Sequence, residues 1–518
     1  MALRCLLLSV AVVFSSLTAA QDLPRTATGQ PDLGGIWRVQ NRAAVDLLAH
    51  AAAFERPAGM SVVAGGELPY QPWARAQQQQ NFATRAQTDP FAHCYLPGVP
   101  RIMTLEFPFQ IFQTAENVAM TFEWQQVFRL IHTNDTASLY EGIESWMGHS
   151  RGAWEGDELV VTVKDFNERS WLDGSGNFHS AAMVLTERFR MLDADTIAYT
   201  VTVDDPEVYT QPWTMSMNLY RQQELDRVLE YQCQAEKEEA NGAFEPDVRN
   251  WYPAGIPGEN VAFDATATSG LPLPQASAEI ARLPDGTPDI GGYYMADAGG
   301  ANYGLEKSAG GALMPPARGV VVDPADGVLP YQGWARAERN DRILPHRGYD
   351  DPTAHCFVAG IPRSHYVPSP FQIVQTPDHV VQLFERMSWR QIDLQRKEHL
   401  PEHMRLWQGD ALGHWEGDTL VVDSRNYNGK AWLNEAGDVI SHMATVRETY
   451  TPVSRDRLIY RATVTDPIAY TRPWTIEVPL DRLQDELLEV ACLEDNNDLQ
   501  HLRDVRDEFR AAQPTTAE

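Results

Sequence analysis

From Gly35 onward, apolar and polar residues alternate in short runs instead of recurring at helical spacing. In the first half of the chain, Gly35–Val39, Phe109–Thr114, Val118–Trp124, Val127–His132, Gly152–Trp154, Leu159–Lys164, Val184–Met191, Thr196–Val203, Trp213–Tyr220 and Val228–Cys233 read as strands. Tight-turn residues separate several of them, notably Glu155, Gly156 and Asp157, and Asp193 to Asp195. A helix is expected only over Gln71–Gln87, followed by a Pro/Gly-rich loop from Asp89 to Arg101. Strands at hairpin spacing, with no helices alternating between them, exclude a parallel α/β fold and suit a meander closed into a barrel or sandwich.

The same pattern occurs twice. Trp154, Glu155, Gly156 and Asp157 recur as Trp415, Glu416, Gly417 and Asp418; Pro108 to Ile111 recur as Pro370 to Ile373; Tyr209, Thr210, Pro212 and Trp213 recur as Tyr470, Thr471, Pro473 and Trp474. The repeat unit is too long for a solenoid, so these are two whole domains. The expected fold is all-β: two tandem antiparallel meander β-barrels, with a few short helices in the early loop of each copy. Copy one spans 27–239 and copy two 284–499. A Pro-, Gly- and Ala-rich linker covers 240–283 and a polar tail 500–518.

Arg4, the apolar run Cys5 to Val13 and small residues up to Ala20 read as a signal peptide over 1–20. They predict a periplasmic or secreted protein cleaved near Ala20. No other run is long enough to span a bilayer. Of 518 residues, 71 are acidic and 42 are Lys or Arg, a net charge of -29. This argues against nucleic acid or an anionic membrane as partner. After the signal, Cys94, Cys233, Cys356 and Cys492 remain, one early and one late in each copy. In an oxidising compartment they suggest the bridges Cys94–Cys233 and Cys356–Cys492, each tying an early loop to the last strand. Other pairings stay open. Their spacing gives no metal site.

The opening Pro31 to Trp37 segment, the Trp-Glu-Gly-Asp turn and the Asp204 to Trp213 segment resemble a large family of exported, mostly uncharacterised bacterial β-rich proteins. Gly35, Ile36 and Trp37 also resemble the opening strand of lipocalin-like barrels, where copy two has Gly292, Tyr293 and Tyr294. The resemblance implies export and a barrel; it implies no chemistry.

Phosphate loops, a serine-nucleophile elbow and a His-Glu-x-x-His pair are all missing. Candidate chemistry therefore rests on scattered residues. Trp37, Trp124, Trp146 and Trp171, with Trp407 in copy two, are either core or the wall of a ligand cavity. Glu123 and Arg129, recurring as Glu385 and Arg390, are either a structural ion pair or the polar end of such a cavity. The histidines differ between copies: His149 aligns with Asp410, His179 with Ile440, and His399 with Ser138. His149 and His179, helped by Glu123 and Arg129, are the expected acid/base set. The expected partner is a small apolar molecule, with no cofactor. An isomerase, lyase or hydrolase and a non-catalytic lipocalin-like carrier are the leading functions. Carbohydrate binding or cleavage, through exposed Trp platforms and acidic pairs, comes third; Glu155 and Asp157 sit in a turn, where opposed placement across a bond is not expected.

Overall fold

The computed structural model describes residues 23–54, 56–134, 141–241, 270–276, 279–311, 314–484, 486–494 and 496–512. The expected signal peptide and most of the expected linker lie outside the described residues.

Copy one is a closed nine-strand barrel in chain order: β1 (Gly35–Val39), β2 (Phe109–Gln113), β3 (Asn117–Phe122), β4 (Phe128–His132), β5 (His149–Glu155), β6 (Glu158–Lys164), β7 (Val184–Asp193), β8 (Thr196–Asp204) and β9 (Trp213–Arg221). β1 pairs with both β2 and β9, which closes the ring. Copy two repeats this with β10 (Gly292–Ala296), β12 (Phe371–Gln375), β13 (His379–Phe384), β14 (Ser388–Asp393), β15 (Asp410–Glu416), β16 (Thr419–Arg425), β17 (Thr445–Ser454), β18 (Arg457–Thr465) and β19 (Trp474–Leu483). β10 joins β12 to β19, and a short extra strand, β11 (Val321–Asp323), lies along β19. The Trp-Glu-Gly-Asp turns link β5 to β6 and β15 to β16, with Gly156 and Gly417 at φ 64° and 61°, which glycine adopts without a Cβ clash.

Two expectations need correction. The barrels are not pure antiparallel meanders, because β4–β5 and β14–β15 pair in parallel. The chain between each of these pairs is far longer than a hairpin and returns the next strand in the same direction. In addition, Val228–Cys233 is not a strand; its one β-type pairing is an isolated Trp124–Tyr231 bridge. The expected helix is present as α1 (Pro72–Thr88), with α2 (Arg101–Thr104) at the end of the following loop. The polar tail forms α5 (Asp498–Ala512), whose Arg506 guanidinium sits 3.9 Å over the Tyr349 ring. Copy one also ends in α3 (Cys233–Ala240), and copy two has α4 (Gly333–Arg342) in its early loop.

Both disulfides form as paired above: Cys94–Cys233 and Cys356–Cys492. The late cysteines lie beyond β9 and β19, not in them. Two disulfides fit an oxidising compartment. No helix among the described residues is long and apolar enough to cross a membrane.

The interiors are filled. Trp37, Phe109, Ile111, Met120, Val161, Leu185 and Tyr199 pack inside barrel one, and Tyr294, Phe371, Ile373, Val422, Tyr450 and Trp474 inside barrel two. The outer face of β2–β4 packs on the outer face of β12–β14. Phe112, Ala119 and Phe128 meet Val374, Val381, Leu383 and Trp389 there. This explains why strands β3 and β13 are buried on both faces.

Candidate functional site

After its last strand, each copy sends a strap across the seam. Main-chain N–H groups of Leu229 and Tyr231 bond Glu123, and those of Leu488 and Val490 bond Glu385. One residue along, Glu230 accepts from the N–H groups of Trp407 (2.5 Å) and Gln408 (3.1 Å) in copy two. Glu489 accepts from Trp146 (2.7 Å) and Met147 (2.9 Å) in copy one. The exchange is reciprocal, and burial pushes both Glu230 and Glu489 up to about 7.

The expected Glu123–Arg129 pair does not form. Glu123 stands at the end of β3 and holds the strap, whereas Arg129 points inward and pairs with Glu187 from β7. Ser150 accepts from Arg129 at 3.1 and 3.0 Å, and Tyr199 donates to Glu187. Glu385 and Arg390 are separated in the same way; Arg390 pairs with Glu448 and donates to Ser424 at 2.7 Å.

The histidines do not converge on a barrel mouth. His179 is buried between Ser170 Oγ (2.8 Å) and the Ser180 carbonyl (2.9 Å), and burial lowers its pKa. It is a satisfied core residue. His149 is half-buried on β5, with Nε2 2.9 Å from the Ile143 carbonyl. It borders a small seam cavity of ≈ 80 Å³ with Arg129, His132 and Glu489. His399 packs its Nδ1 2.9 Å from Asp410, which also pairs with Arg227 and Arg396. Trp37 fills the core and donates to the Leu33 carbonyl at 2.9 Å. Trp146 and Trp407 are the strap-bound residues, and Trp171 bridges to Phe178. Glu155 and Asp157 pair with Arg188 and Arg25 at the surface, so they do not oppose each other across a cleft. Among the described residues no three His, Cys, Asp or Glu side chains gather as a metal site requires.

A cavity of ≈ 210 Å³ lies at the seam beside both disulfides. Copy one contributes Cys94, Leu96, Gln125 and Gln232; copy two contributes Phe357, Val367, Phe384, Arg386, Met387, Val490 and Leu493, among others. The corresponding place in copy one is plugged by four rings. Phe91 stacks on Trp124 at 4.1 Å, and Phe107 and Tyr231 lie 5.5 and 5.4 Å from Trp124. The aligned residues in copy two are Thr353, Arg386, Ser369 and Val490. Rings are replaced by small or polar side chains, and space remains. The residue that sequence reasoning missed is therefore Arg386, aligned with Trp124. Its signal lay in those aligned columns of the two copies.

A second difference lies just behind this cavity. Met103, Met120 and Phe189 of barrel one align with His365, Gln382 and Tyr450 of barrel two. His365 Nε2 is 2.8 Å from Tyr450 Oη and 3.0 Å from Gln382 Nε2, and Tyr450 Oη is 3.1 Å from Glu448 Oε1. Burial pulls His365 down to about 4, so the ring is neutral and Nε2 accepts. Phe384 lines the cavity on one side and meets the His365 ring edge-on at 5.7 Å on the other.

Fold and site together define a tandem β-barrel protein with a seam cavity. No protein-family model matches the chain, and no curated protein matches it. Among solved structures, it is similar to a protein of unknown function from the DUF3598 family of Nostoc punctiforme: 7% identity over 73% of this chain and 88% of that one, with a TM-score of 0.15.

Proposed function

We propose that this chain is an exported small-molecule-binding protein whose ligand occupies the seam cavity beside barrel two. The observation that carries the reading is the exchange of a four-ring aromatic plug for Thr353, Ser369, Arg386 and Val490 at the aligned place. Packed interiors rarely leave such room without use. The ligand site is thus between the barrels, not inside a lumen as in a lipocalin. Grafting the plug back, as Thr353→Phe, Ser369→Phe, Arg386→Trp and Val490→Tyr, is expected to fill the cavity in a geometry copy one already accommodates. Native mass spectrometry of protein purified from the exporting host should then show a bound small molecule on the wild type and none on the graft. A ligand retained by the graft would place the site elsewhere.

A second reading, an acid/base enzyme, is favoured by the neutral His365 beside Tyr450 behind the Phe384 wall. Three polar residues in a core position that the sister barrel fills with Met, Met and Phe are costly without a role. If this pair moves protons, restoring the copy-one residues (His365→Met, Tyr450→Phe) should lower turnover by about 100-fold or more while ligand still binds. An activity that survives both changes but falls with His149→Ala would return the chemistry to copy one.

A further inference from the structure

The geometry points to a small amphipathic carboxylate as the ligand of the seam cavity, its charge held by Arg386 and its apolar end resting on Phe384. This rests on the reading of that cavity as the ligand site. Two arginines line it, and they are not equivalent. Arg363 donates to both Asp351 oxygens at 2.9 and 2.8 Å, so its charge is cancelled within the fold. Arg101 and Asp89 make the same pair in copy one, which marks it as structural. Arg386 has no such counterpart, since copy one carries Trp124 there. Among the described residues Arg386 makes no hydrogen bond or ion pair, and its side chain is exposed along the cavity.

The acidic lining groups are already engaged. Glu494 accepts from the Leu96 N–H at 2.9 Å, and Glu435 accepts from Asn302 Nδ2 at 2.7 Å. Burial raises the Glu435 carboxyl, while the Arg363 and Arg386 charges pull it down. Arg386 feels the nearby Glu435 charge but hydrogen-bonds neither carboxylate, so its planar donor fork stays open, the arrangement that suits a carboxylate. Phe384, Val367, Met387 and Leu493 give the rest of the wall an apolar character. A cavity of ≈ 210 Å³ limits the ligand to a short chain or a single ring. The chain as a whole is acidic, with a net charge of -29, so an anion is attracted only by this local arrangement.

The test is calorimetric titration of the disulfide-intact full chain with hexanoate, hexan-1-ol and hexylamine at pH 8 and low salt. Hexanoate should bind at least about tenfold tighter than the other two, and Arg386→Gln should remove that advantage without shifting the thermal midpoint. Hexanol or hexylamine binding as tightly as hexanoate, or hexanoate unaffected by Arg386→Gln, overturns the carboxylate assignment. If hexanol binds as tightly as hexanoate and the aromatic graft abolishes both, the cavity reading stands and only the anion falls. If binding is unchanged in the graft, both fall. Failure of all three probes to bind the wild type counts against the carboxylate.

Discussion

Arg129 and Arg390 are buried charges whose partners come from across the barrel. Glu187 and Glu448 are 0% exposed, and each closes a bidentate pair inside the sheet. Removing one partner of such a pair leaves the other charge uncompensated. Glu187→Gln and Glu448→Gln are therefore each expected to cost about 3–5 kcal/mol in urea unfolding. A loss under about 1 kcal/mol would mean that the pair is solvated. That an arginine and a glutamate recur in both copies is legible in the sequence. Their pairing is not, because Glu123 is nearer along the chain yet stands where β3 ends, outside the inward-facing row. Glu187 faces Arg129 only once β5, β6 and β7 have wrapped around. His149 and His179 show the same limit: side-chain type suggested chemistry, and burial decided otherwise for His179.

At the scale of elements, the straps are the distinctive feature. Each disulfide anchors one strap to its own early loop, and each strap's glutamate holds two main-chain N–H groups of the other copy. Burial raises Glu230 and Glu489 from the ordinary value to about 7. A raised carboxyl means that the folded state holds the proton more tightly than the unfolded one. Its contribution is fully present below the unfolded value and lost as pH rises through about 7. The seam is thus expected to weaken between pH 5 and 8, by on the order of 3 kcal/mol per carboxylate. Glu489→Gln, which keeps an acceptor oxygen, should flatten that dependence in thermal scans across this range. An unchanged slope would show that Glu489 titrates normally. The strap positions were readable as the apolar run before each late cysteine, but that run reads as a strand. Only the crossing to the other copy explains why its amides leave the sheet.

For the whole molecule, the seam makes the two barrels one particle. The copies meet across the apolar face centred on Ala119, Val381 and Trp389 and through the reciprocal straps. A chain cut at an engineered protease site between residues 242 and 269 should still elute as a single species under non-reducing conditions. Separate halves on size exclusion would show that the contact depends on the link. The duplication also explains how the copies diverged. Copy one carries an aromatic plug and Met103, Met120 and Phe189; copy two has a cavity and, at the aligned places, His365, Gln382 and Tyr450.

What the sequence determined by itself was local or repeated. Period-two alternation set the strands, the Gly156 and Gly417 turns set their hairpins, and a duplicated pattern set two copies of one β-rich domain, each with one early and one late cysteine whose pairing the structure decided. These follow from backbone geometry and from residues compared at a fixed offset. Tertiary structure alone decided what depends on closure: the parallel step at β4–β5, the partner of each buried arginine, the crossing of the straps and the cavity at Arg386. Each of these brings together residues far apart in the chain, and a strand's alternation says which side chains share a face without saying what that face will meet.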